Sequence, residues 1–132
     1  MKKYFLLTTI ICLLFIFSGC KKEGTPTCVA GQGGKVTLVI FPQHHGAPIH
    51  GATAYLEYNT QSSPGTLSNF DLSIAGEANE EHIHAENMKC GDYFIYCVGY
   101  DSTISQTVKG GIPYSLPAST SGEINVYVPV TE

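Results

Sequence analysis

The chain has 132 residues, seven of them basic and eleven acidic, for a net charge of −4. All seven basic residues are lysines. An acidic chain without arginine lacks both the cations that neutralise phosphates and the fork that reads guanine, which excludes nucleic acid as a partner.

The first element is a leader. Lys2 and Lys3 precede an apolar run from Tyr4 to Phe17. That run is shorter than the roughly 20 apolar residues a bilayer-spanning helix needs, and it has the form of a secretory signal peptide. The next residues, Phe17-Ser18-Gly19-Cys20, resemble the lipobox of bacterial lipoproteins. The resemblance implies cleavage after residue 19 and acylation of Cys20, with several acyl chains (palmitate among them) giving a stable membrane anchor. It places the chain in the cell envelope of a Gram-negative bacterium and points to the outer membrane, without fixing the leaflet. The processed chain keeps five lysines against eleven acidic residues.

Residues 20–34 then read as the lipidated cysteine and a flexible tether. Lys21-Lys22-Glu23 is charged, and Gly24 to Gly34 mixes Gly, Thr, Pro and Gln with too few apolar groups to fold alone. From residue 35 to 132 the sequence reads as one domain of strands and turns. The expected strands are Lys35 to Phe41, Ala52 to Tyr58, Asn69 to Ile74, Glu81 to Glu86, Asp92 to Tyr100, Ile104 to Val108 and Glu123 to Val130. Turn residues separate them, including Pro64-Gly65, Gly76, Gly91, Gly110-Gly111, Pro117 and Gly122. No window carries an apolar stripe of helical period. About seven short strands without helices is the pattern of an all-β, two-sheet, Ig-like sandwich.

Two segments carry a second resemblance. Ala47-Pro48-Ile49-His50-Gly51-Ala52-Thr53-Ala54-Tyr55-Leu56 is similar to the opening of carboxypeptidase regulatory-like, or transthyretin-like, domains. Ile83-His84-Ala85-Glu86-Asn87-Met88-Lys89-Cys90-Gly91-Asp92-Tyr93 is similar to their later "F-x-F-x-N-L-x-x-G-x-Y" segment. This resemblance implies a transthyretin-like sandwich and a non-enzymatic module for binding, spacing or stabilising. It also implies side-chain directions. With Ile83 and Ala85 inward, His82 and His84 share the outward face, since strand side chains alternate. His44, His45 and His50 lie in the expected loop between the first two strands, and imidazoles of this kind suit zinc or copper(II). The metal-binding alternative is therefore a site on His82 and His84, with or without one of the loop histidines; solvated histidines without metal are the other reading.

Among the cysteines that follow Cys20, the family pattern turns Cys97 inward as a small apolar residue. Cys28 and Cys90 are then left to form a disulfide in an oxidising compartment, or Cys28 stays free. Along Asp92 to Tyr100 both faces are apolar. One face carries Phe94 and Tyr96, which either lie beneath a loop such as Gly110 to Ser121 or form a docking surface for an envelope protein or glycan. No G-x-S-x-G, H-E-x-x-H, C-x-x-C or phosphate-binding glycine loop occurs. The sequence thus reads as a lipid-anchored binding or accessory module and not as an enzyme.

Overall fold

The computed structural model describes residues 27–132. The expected signal peptide at 1–19 and the expected lipidation of Cys20 lie outside the described residues.

Eight strands form two facing sheets: β1 (Gln32–His44), β2 (Ala47–Pro48), β3 (Thr53–Tyr58), β4 (Leu72–Ala75), β5 (Ile83–Met88), β6 (Gly91–Asp101), β7 (Gln106–Leu116) and β8 (Gly122–Pro129). A short 3-10 turn at Leu67–Asn69 interrupts the β3–β4 connection. In the first sheet β1 is central, antiparallel to β5 on one side and parallel to β8 on the other, with β2 closing a hairpin at its end. The second sheet has the order β4-β3-β6-β7 and is antiparallel throughout. The all-β, two-sheet sandwich expected from the strand and turn pattern is the fold of the domain.

Alternation decides which side chains fill the space between the sheets. β1 sends Val36, Leu38, Ile40, Pro42 and His44 inward; β6 sends Tyr93, Ile95, Cys97 and, at its end, Asp101. Leu56, Ile83, Ala85, Met88, Val108, Val126, Val128 and Val130 join this core, all at most 3% exposed. Burying such apolar area is the main force that holds two sheets together. Cys97 is sealed inside it, and loss of hydration pushes its thiol pKa up to about 12.

The strand boundaries differ from the sequence expectation at several points, most of all in β1 and β7. β1 begins at Gln32, inside the stretch read as tether, and the chain is already fixed from Cys28 onward. Cys28 is disulfide-bonded to Cys90, their Cα atoms 4.9 Å apart. The Ala30 N–H donates to the Asn59 side-chain oxygen at 2.8 Å, and the Tyr93 hydroxyl accepts from the Gly31 N–H at 3.0 Å while donating to the Lys89 carbonyl at 2.6 Å.

β7 likewise runs on through Gly110-Gly111 and Pro113, where a loop was expected. Pro113 is tolerated because β7 is an edge strand and can turn its missing N–H outward. Gly110 answers a different need. After β8 the chain leaves β1, with the Val130 N–H on the Gln43 carbonyl, and crosses to β7, where Lys109 and Thr131 exchange hydrogen bonds of 2.7 and 2.9 Å. A Cβ on Gly110 would run into the Pro129 carbonyl, so only glycine lets the two backbones pass.

Candidate functional site

The crossing carries Glu132 to the open end of the sandwich, where β1 and β6 also stop. His44 sits there because it continues the inward row of β1 past the last apolar position. It is 4% exposed. A buried imidazole needs polar partners, and it has two. Its Nδ1 stands 2.8 Å from Asp101 Oδ2, and its Nε2 stands 2.9 Å from Glu132 Oε2.

Each partner is held in place by local structure. The other Asp101 oxygen accepts hydrogen bonds from the Thr103 N–H at 2.8 Å and the Thr103 hydroxyl at 2.6 Å, fixing the turn that follows β6. Those bonds, with that from His44 next, hold the Asp101 carboxyl down to about 2. Glu132 is also held below the ordinary carboxylate range, first by its own backbone N–H and then by His44. Reciprocally, the bond to Asp101 raises the His44 pKa above 6.5, overcoming the opposing effect of burial, with Glu132 adding to it. In its protonated form the ring can donate to a carboxylate from each nitrogen.

His45 follows in the two-residue loop between β1 and β2, where His44 pairs with Ala47. His45 and Gly46 have φ of 50° and 81°, the signs of the left-handed hairpin turn whose twist matches its strands. This geometry curls the His45 ring back over its neighbour, the two centroids 4.3 Å apart. One donor atom each from His44, His45 and Glu132 lies within 4.8 Å of the others. Among the described residues this is the one group of three metal-ligating side chains gathered so closely.

The other histidines lie elsewhere. His82 precedes β5 and His84 lies on it; they share the outer face of the first sheet, their ring centroids 4.8 Å apart. His82 packs on Phe41 at 5.4 Å, and Phe41 stacks on Tyr127 at 5.1 Å, so the pair belongs to an aromatic row across that face. No loop histidine joins it: His44 and His45 are committed to the far end of β1, and His50 stands 3.5 Å from Glu81. The pair expected on one outward face is therefore there, but among the described residues no loop histidine is gathered with it. His44 was read as a loop residue; it is the buried last residue of a strand.

Phe94 and Tyr96 point to the outer face of the second sheet and are half-buried. Phe70, from the β3–β4 connection, stacks on Tyr96 at 5.8 Å and tilts against Tyr55 at 5.7 Å. The cover comes from this connection and not from residues 110–121. What stays open is a groove of about 250 Å³ between Phe70, Tyr96, Val98 and Lys109.

Sequence reasoning did not reach Asp101 or Glu132. Asp101-Ser102-Thr103 is a recognisable side-chain-capped turn, which signals a fixed carboxylate. Nothing near Glu132 marks it as a partner of a residue 88 positions away. Comparison of the chain with protein families, with curated proteins and with solved structures gives no match.

Proposed function

We propose that this protein is a non-enzymatic, lipid-anchored accessory module of the cell envelope, tethered through Cys20 and presenting a ligand-holding end away from the membrane. The observation that supports it is the polarity of β1. The strand starts four residues after Cys28, where the disulfide clamps the incoming chain, and ends at His44. Its 13 residues span roughly 40 Å at about 3.3 Å each, so the clamp and the polar cluster occupy opposite poles. A lipid on Cys20 can lie no more than roughly 25 Å of extended chain from Thr27, which sets the clamped pole toward the bilayer.

The chemistry of the side chains supports holding over conversion. Both ring nitrogens of the buried His44 already face carboxylate oxygens, so neither stands open to a substrate as a general base would. The Cys97 thiol is inaccessible and far from its thiolate form. The transthyretin-like resemblance of the segments 47–56 and 83–93 fits the same role.

The test uses the full chain expressed in a Gram-negative host fed an alkyne-bearing fatty acid. Labelled protein should partition with membranes, and Cys20→Ala should lose both label and membrane association. Fluorophores on Ala118→Cys and Ala47→Cys, in vesicles carrying a headgroup quencher, then read the orientation. Quenching at position 118 and not at 47 is expected. An unlabelled wild-type chain, or equal quenching at the two poles, refutes the reading.

A further inference from the structure

We infer that the distal pole is a metal site: His44 Nε2, one ring nitrogen of His45 and the Glu132 carboxylate bind a borderline divalent ion, zinc first, with Asp101 as the positioning residue. The inference deepens the proposed function by naming the ligand, and it rests on that reading only for the direction in which the site faces.

Four observations carry it. The donor set, two imidazoles and one carboxylate, is of the type found in zinc sites that keep a fourth position open. The donors are already gathered within 4.8 Å. Two ligands about 2.0 to 2.1 Å from a tetrahedral ion stand roughly 3.3 Å apart. The 2.9 Å between His44 Nε2 and Glu132 Oε2 therefore needs to open by only a few tenths of an ångström. Glu132 can give that, since its side chain is 55% exposed, whereas His44 is held rigidly by the core.

The third observation is Asp101. A metal-binding histidine ordinarily donates its second ring N–H to a carboxylate, which fixes the tautomer and aims the free nitrogen at the ion. Asp101 Oδ2 receives Nδ1–H at 2.8 Å and is itself held by Thr103, which is that arrangement complete. Fourth, a recess of about 460 Å³ opens beside His45, bounded by Gln43, Tyr127 and Pro129. It gives solvent an approach to the His45 ring, the one proposed ligand that borders it. On binding, the ion takes the place of the proton on Nε2, and that proton leaves to solvent.

The experiment is calorimetric titration of the untagged, acylated full chain in detergent with zinc chloride, and in parallel with copper(II). One ion per chain with micromolar or tighter affinity is expected. His45→Asn keeps the left-handed turn, which asparagine tolerates, and Glu132→Gln removes an exposed carboxylate; each should weaken binding at least tenfold. Asp101→Asn touches no ion and should still weaken it by roughly 10-fold or more. His82→Ala with His84→Ala should leave it unchanged. Imidazole 15N resonances of His44 and His45 should shift on adding zinc while those of His50 stay put. Absence of binding by a well-folded, acylated chain overturns the inference and leaves the tethered module standing. Binding that survives His45→Asn and Glu132→Gln also overturns it. A chain that binds zinc at these residues yet carries no acyl group overturns the tether alone.

Discussion

The two poles of the sandwich are both held shut by contacts between residues far apart in the chain, but with opposite chemistry. At the disulfide-clamped pole the fastenings are neutral: the Cys28–Cys90 bond, the Tyr93 hydroxyl between Gly31 and Lys89, and Asn59 on Ala30. At the distal pole they are ionic, His44 between Asp101 and Glu132. Neutral hydrogen bonds and a covalent bond do not respond to pH over the range in which carboxylates and imidazoles titrate. A charged cluster does, and its donors can be diverted to another cation. The comparison teaches that one pole is fastened by bonds indifferent to pH and the other by bonds that depend on charge.

The largest effect should follow from opening the covalent fastening. The bond closes a loop of 62 residues, for which the chain-entropy relation gives about 4 kcal/mol of stabilisation. Cys28→Ala with Cys90→Ala should lower the urea midpoint by a corresponding amount, and adding a reductant to the double variant should change nothing more. A double variant as stable as the wild type would mean that the core alone fixes the pole.

Tyr93→Phe comes next. The ring stays in place, but the buried Gly31 N–H loses its acceptor and the Lys89 carbonyl its donor. Leaving such groups unpaired costs about 1 to 3 kcal/mol. The loss should appear in urea unfolding with an unchanged m-value, and amide exchange at Gly31 should accelerate. Unaltered exchange there would show that the hydroxyl does not hold the incoming chain.

Much of the fold was legible because it depends on local alternation. Cys97 was expected inward by alternation, and it is fully buried together with Tyr93 and Ile95 of the same strand row. The distal pole was not legible because each of its contacts joins residues with no local relation. His44 meets Asp101 across 57 positions, through the facing of β1 and β6 in different sheets, and meets Glu132 across 88, through β8 pairing parallel to β1. Gly110 misled for the same reason. A glycine pair in sequence reads as a turn, whereas here it gives way to a crossing backbone that only the tertiary structure supplies.

The distal pole should show itself in the pH dependence of the metal-free protein, measured with a chelator present. The groups facing His44 are Asp101, Glu132 and the His45 ring. Its pKa is raised on folding, so its contribution is fully present below the unfolded value of 6.5 and is lost as pH rises through the higher folded value. Asp101 works in the other direction. Held down to about 2, it contributes above the ordinary 3.8 and that contribution is lost as pH falls toward 2. Glu132 adds in the same sense, from its ordinary 4.5. The stability plateau should therefore lie between about 4.5 and 6.5, with a decline on the alkaline side that His44→Gln abolishes. A wild-type profile that is flat from pH 6 to 9 would show that the cluster is not ionised as its geometry requires.

The smallest effect is expected where the sequence drew most attention. His82 and His84 stand on the outer face of the first sheet, at its β5 edge, with no third metal-ligating side chain gathered beside them among the described residues. His82 contributes a ring contact to Phe41, which keeps its other neighbour in Tyr127. Surface substitutions away from buried partners usually fall within about 0.5 kcal/mol, so His82→Ala with His84→Ala should leave the urea midpoint almost unmoved. The contrast with His44→Gln is what gives the measurement its force. A His-x-His on an open strand face has both rings free to solvate, whereas a single histidine at the end of an inward row must find partners or cost the fold its stability. If the outer-face pair proved as costly to remove as His44, the two surfaces would not differ in the way the burial and the hydrogen bonds require.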